Sequence, residues 1–161
     1  IMQRHYPDRQ WTCGDDYRSL TMLDGGAKPT KASLEELWQD VQIVLAKENK
    51  LAELENAYVA TLEEPVTVVI AETAVMFDSG ARSRESVNEA VTSFGTVGTP
   101  IPVGFSWRDS ANVMRPFGLG EIYALAAALT VQKATAAAKL FALKDKVIAA
   151  TTVSKIEGVV W

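Results

Sequence analysis

The chain has 161 residues, 48% of them hydrophobic, and a formal net charge of -4 from 16 Lys and Arg against 20 Asp and Glu. That length suits one ordinary domain or two small ones, and the composition provides enough apolar mass for a core. No segment gathers the basic residues into the patch that a phosphate backbone requires, so nucleic acid is excluded as an expected partner.

A single cysteine, Cys13, cannot close an internal disulfide, and a single histidine, His5, is too few for the usual zinc constellations. The expected fold therefore has no metal and no cofactor. The most apolar windows, 65–77 and 122–143, are too short and too interrupted by Gln132, Lys133 and Lys139, respectively, to span a bilayer. The opening residues IMQRHYPDR carry charge and no apolar run, so no signal peptide is predicted, and Ile before Met suggests a start further upstream.

Along the chain, a short helical turn or coil runs through Tyr6 and is halted by Pro7. Residues 11–23 read as a small hairpin, extended at 11–13 and 17–23, with Gly14, Asp15 and Asp16 turning it. Asp24, Gly25 and Gly26 break the hairpin, and a helix follows, capped by Thr30 or by Ser33 with Glu36 completing a capping box. Pro65 ends the helical region. Runs 66–70 and 75–78 predict a second hairpin, and Ser83 or Ser86 is expected to cap a short helix through Phe94 that Gly95 stops. Phe105 and Trp107, a turn at 109–112 and a return at 113–117 predict a third hairpin, with Pro116 at a sheet edge. An alanine- and leucine-rich helix is expected from about Leu119 or Glu121 to Ala150, then a last turn capped by Thr151 or Thr152.

Within the first long helix, Leu34, Leu37, Val41, Val44, Leu51 and Tyr58 recur with a period near 3.5, while Glu48 and Glu55 take two positions where that repeat asks for apolar side chains. The pattern reads either as a seam joining copies of the protein or as one amphipathic helix packed on its own domain, and the two charges favour the second reading. Together with Trp11 and Trp38, these six residues form the predicted interface with partners.

Candidates for chemistry are sparse. Asp15, Asp16 and Asp24 lack the regular further oxygen ligands of a calcium loop and read as turn residues. A His5–Cys13 pair would need an orienting third group that the sequence does not offer. The glycines of FGLGE lack the rest of a dinucleotide or phosphate fingerprint. Glu63 and Glu64 are neighbours at a helix end, not acids facing each other across a cleft. Trp11, Trp38, Trp107 and Trp161 each lie beside other hydrophobic residues and read as core or interface anchors more readily than as glycan platforms. No catalytic residue is predicted, and the chain is not expected to be an enzyme.

Three blocks, FDSGARSRESVNEAV, FSWRDSANVMRPFGLGEIYALAAAL and FALKDKVIAATTVSKIEGVVW, resemble a phage domain of unknown function that often accompanies tail-fibre or baseplate proteins. The resemblance is carried by Phe77 and Asp78, residues 84–90, Trp107 with Asp109 and Asn112, Leu143 with Lys144, and Thr151 with Thr152. It departs at 118–120, where a threonine-type cap is expected, and near Lys133, where a histidine is. YPDRQWT, DDYRSLTMLDGGAKPT and ASLEELWQDV are loosely similar to N-terminal segments of small phage tail-region proteins.

The resulting expectation is an α+β protein of short antiparallel hairpins, with a long connecting helix and a C-terminal sheet packed by a long helix. Residues 1–60 would form an attachment module and 61–161 an α+β domain. The resemblance implies a structural component of a phage tail in the virion, made in the host cytoplasm. It would be a homo-oligomer in contact with fibre or baseplate proteins and with no nucleic acid or membrane. A fibre-assembly chaperone is the alternative, and a tail-borne cell-wall hydrolase the next.

Overall fold

The computed structural model describes residues 1–161 and has the expected α+β character. Three antiparallel hairpins alternate with helices. The elements are α1 (Met2–His5), β1 (Trp11–Thr12), β2 (Thr21–Met22), α2 (Lys31–Glu63), β3 (Val66–Ile70), β4 (Thr73–Phe77), α3 (Ala81–Ala90), β5 (Ser106–Arg108), β6 (Met114–Pro116), α4 (Leu119–Ala149) and α5 (Val153–Glu157).

The chain divides into two compact units, residues 1–52 with 145–160, and residues 53–144 with Trp161. The expected division near residue 60 follows the chain in a single cut. The compact units instead divide α2 and α4 between them, because the last five residues of α4 and all of α5 belong with the N-terminal residues.

In the first unit, β1 and β2 pair as Trp11↔Met22 and Thr12↔Thr21. The second strand is shorter than the alternation at 17–23 suggests. Tyr17–Ser19 form a 3-10 turn, because the Asp16 carboxylate accepts the Ser19 amide at 3.1 Å and caps it. Thr30, not Ser33, caps α2: its hydroxyl accepts the Ser33 amide at 3.0 Å. Met2, Leu20, Val41, Val147, Ala150, Ile156 and Val159 are the buried apolar side chains here. The Lys47 ammonium donates to the Ile148 carbonyl at 2.6 Å, and Arg4 pairs with Glu48 at 2.9 Å. Thr152 caps α5 by accepting from the Lys155 amide.

The second unit carries the larger core. Val66 and Val68 of β3 and Val75 and Phe77 of β4 point inward on one face of their hairpin, while Val69 and Met76 point out. That face meets Val87 and Ala90 of α3, Phe117, and Ile122, Leu125 and Leu129 of α4. Each fully buried large side chain of this cluster contributes roughly 1.5–3 kcal/mol. The turn between β3 and β4 is tighter than a four-residue connection. Only Ala71 and Glu72 lie between the strands, both with positive φ (46° and 66°), which matches the strand twist.

Two further expectations are revised. β3–β4 and β5–β6 do not join into one sheet; they are separate two-stranded ladders, linked by the Ser110 amide donating to the Met76 carbonyl at 2.9 Å. The helix expected to start at a serine cap begins earlier, at Ala81 after Gly80, with no side-chain cap. It runs past Ala90 into a π-helical turn, Val91–Thr96, so Gly95 does not stop it. A Cβ at Gly95 would meet the hydroxyl end of the Tyr123 side chain, which lies against that glycine.

Candidate docking surfaces

The groove of the first unit is built by its turn chemistry. Ser19 accepts the Gly14 amide at 2.7 Å and donates to the Asp16 carbonyl at 2.6 Å, which folds 13–19 into a tight wall. Tyr17 then donates its hydroxyl to the Pro29 carbonyl at 2.6 Å, while Lys28 donates to the Tyr17 carbonyl at 2.8 Å and lies 4.1 Å from the centre of the Tyr17 ring. These contacts tie the hairpin to the start of α2. Between hairpin, α1 and α2 lies an open groove of about 580 Å³, with Met2, Trp11, Tyr17, Leu20, Leu34 and Trp38 among its lining residues.

Of the predicted interface, Trp11, Leu34 and Trp38 come together at this groove. Leu37, Val41, Val44, Leu51 and Tyr58 do not line it; Val41 is buried and the other four are half-buried. These apolar heptad positions are thus at least half-buried, and the two acidic ones, both exposed, pair with other side chains of the chain, Glu48 with Arg4 and Glu55 with Lys144. Met2, Tyr17 and Leu20 were missed as wall residues, since nothing in their spacing ties them to α2.

Arg9 and Asp24 form an ion pair beside the groove's hairpin. The Arg9 guanidinium, helped by the Gly26 amide, holds the Asp24 carboxyl down to about 2. Cys13 is exposed, and its Sγ lies 3.5 Å from the Asp16 carbonyl and 3.8 Å from the Ser19 hydroxyl; no hydrogen bond joins it to His5. No group of three or more His, Cys, Asp or Glu side chains is placed to hold a metal ion. No helix is long and apolar enough to cross a membrane.

The second unit gathers its polar side chains around the C-terminal end of α2, where the last carbonyls of a helix have no partners of their own. Ser79, fully buried, donates to the carbonyls of Leu62 and Glu64 (2.7 and 2.5 Å). Gln132 of α4 donates to those of Thr61 and Glu64 (2.9 and 2.7 Å). Arg84 of α3 donates to the Leu62 and Leu129 carbonyls (3.3 and 2.8 Å) and to the Gln132 amide oxygen (2.5 Å). No carboxylate faces this guanidinium, its Nε has no partner, and burial pulls its pKa below the usual arginine range. The cluster holds a helix end together and leaves no group free to act as nucleophile or base.

The third hairpin is organised by Asp109. Its carboxylate accepts the Val113 and Ala111 amides (2.8 and 2.9 Å) and the Arg115 guanidinium (2.8 Å), and these donors, Val113 first, hold its pKa below the ordinary value against the effect of burial. Asn112 takes the left-handed conformation (φ 64°) that the turn requires. Phe105 and Trp107 enter an edge-on aromatic chain with Phe94 and Phe117, so Trp107 is a core anchor. Trp161 is half-buried, with Lys139 over its ring, and Trp38 stands 45% exposed at the groove.

The helix-end cluster, the Asp109 turn and the aromatic chain all fall within residues 45–159, which match the family model described as a domain of unknown function, DUF4376. The chain belongs to the DUF4376 family. No curated protein and no solved structure matches it significantly. The DUF4376 match takes in the whole core of the second unit together with part of α2 and all of α5, whereas the groove-lining residues all precede it.

Proposed function

We propose that this chain is a structural component of a bacteriophage tail, near the fibre or baseplate, that works by docking to other tail proteins. The groove carries the reading: Trp11, Leu34 and Trp38 present an open apolar wall held in shape by the Tyr17 and Ser19 hydrogen bonds. An apolar pocket with aromatic walls is the kind of surface that takes an anchor side chain from a protein partner. The tail setting rests on the resemblance of the blocks at 77–91, 105–129 and 141–161 to a phage tail-associated domain.

The test uses particles of the phage that carries the chain. Wild-type protein is expected in purified tails at a fixed ratio to the other tail proteins by quantitative mass spectrometry. Trp38→Ala is expected to leave the protein folded by circular dichroism and to reduce its incorporation at least tenfold. A wild-type chain made in the cell but absent from purified tails would overturn the reading in favour of an assembly chaperone.

A further inference from the structure

The groove of the first unit has a charge sign as well as an apolar wall. Three carboxylates line it, those of Asp15, Asp16 and Glu35, against one ammonium, that of Lys31, which lies 3.4 Å from Glu35. All three acids are exposed. Asp16 accepts the Ser19 amide with one oxygen, and neither it nor Asp15 forms an ion pair. The neighbouring cations are turned to other acceptors: Arg4 to Glu48, Arg9 to Asp24 and Lys28 to the Tyr17 carbonyl. Arg18 does not line the groove. The side chains around the apolar wall therefore carry an excess of negative charge that the chain itself does not neutralise.

We infer that the segment docking in this groove carries an apolar or aromatic anchor with a lysine or arginine close beside it in sequence. The inference rests on the docking role proposed above and names the chemistry of the partner. An occupant that covers Trp11, Leu34 and Trp38 also strips water from the acidic rim, and a cation on the occupant restores what those carboxylates lose. A neutral flank leaves them uncompensated, and an acidic flank adds repulsion. The ring of Trp38, 45% exposed, offers the same cation a second contact through its face. The sign of the rim also turns away phosphate-bearing partners, nucleic acid and anionic lipid alike.

Two fluorescently labelled peptides test it, Gly-Lys-Leu-Phe-Leu-Lys-Gly and its counterpart with Glu in place of both Lys, each titrated with the full chain and followed by anisotropy. The basic peptide is expected to bind about tenfold more tightly than the acidic one at low salt and to lose most of that advantage at high salt. Trp38→Ala is expected to weaken binding of the basic peptide by about tenfold. The double variant Asp15→Lys, Glu35→Lys changes two exposed positions; it is expected to keep its circular dichroism and to prefer the acidic peptide. Equal binding of the two peptides, no saturable binding of the basic one, or an unchanged preference in the double variant would each overturn the proposal. The tail assay fails separately. Loss of Trp38→Ala from tails with no preference for the basic peptide would sink the charge reading and leave docking in place, whereas a basic preference in a chain absent from tails would sink only the tail role.

Discussion

The indole N–H of Trp161 donates to the hydroxyl of Thr61 at 3.0 Å, joining the last residue of the chain to a residue 100 positions earlier. Thr61 lies in the final turn of α2, and its carbonyl is taken by Gln132. Chain end, helix end and α4 thus meet at one point in the second unit. Trp161→Phe keeps the ring and removes the donor, and is expected to lower unfolding free energy by about 1 kcal/mol in urea denaturation.

The buried cap of α2 should be more sensitive. Ser79→Ala removes one of the two side-chain donors at each of the Leu62 and Glu64 carbonyls, and Arg84→Met removes the other at Leu62 together with the side-chain donor to the Leu129 carbonyl. Each substitution is expected to cost about 1–3 kcal/mol, read from urea midpoints at unchanged m-value. A larger loss at Arg84 than at Ser79 is not expected, because the guanidinium is itself held without an acidic partner.

Ala71 and Glu72 are non-glycine residues in left-handed backbone at a two-residue hairpin turn. Replacing them with Asn and Gly, the pair this turn prefers, should stabilise the protein by about 1–2 kcal/mol. Thermal unfolding checks it, and the variant should melt at a higher temperature.

The Arg9–Asp24 pair sets a pH dependence confined to the N-terminal hairpin. The folded carboxyl titrates at about 2, below the ordinary value of 3.8, so its contribution is full above that ordinary value and is lost as pH falls toward 2. Amide-exchange protection relative to the intrinsic rate at 21–26 is expected to fall over that window, and Asp24→Asn should make that protection pH-independent there. Carboxyl carbon shifts followed by NMR locate the midpoint.

At the tightest part of α2, Leu54 is fully buried. Leu54→Ala is expected to cost about 2–5 kcal/mol, with the loss seen in calorimetry as a lower melting temperature.

Much of the local structure was legible because it depends on neighbours. The Asp109 turn and the caps at Thr30 and Thr152 follow from side chains hydrogen-bonding backbone a few residues away. At Gly118 the expected threonine cap is replaced by Glu121 reaching back to the Gly118 amide at 2.9 Å, a device visible in the sequence as a glutamate three residues into the helix. Tyr17–Ser19 misled because alternation alone cannot tell a strand from a turn capped by the preceding Asp16. Of the candidate interface, Trp11 and Trp38 were named as aromatic anchors and Leu34 as a repeat position, and these three line the groove. Met2, Tyr17 and Leu20 were not named, since a groove wall assembled from three separate elements leaves no repeat to read.

By itself the sequence determined the α+β class, the hairpins and the two long helices, since these arise from propensity, periodicity and turn residues acting over short range. Only the tertiary structure decided which apolar faces are consumed. Of the Leu34–Tyr58 repeat, Val41 is buried, Leu34 lines the open groove and the others are half-buried, while α4 leaves its Val131–Phe141 stripe in solvent, although both carry coiled-coil spacing. Periodicity records that a face is apolar. Which face becomes core depends on contacts between residues far apart in the chain, such as the return of 145–160 to the N-terminal residues and of Trp161 to Thr61.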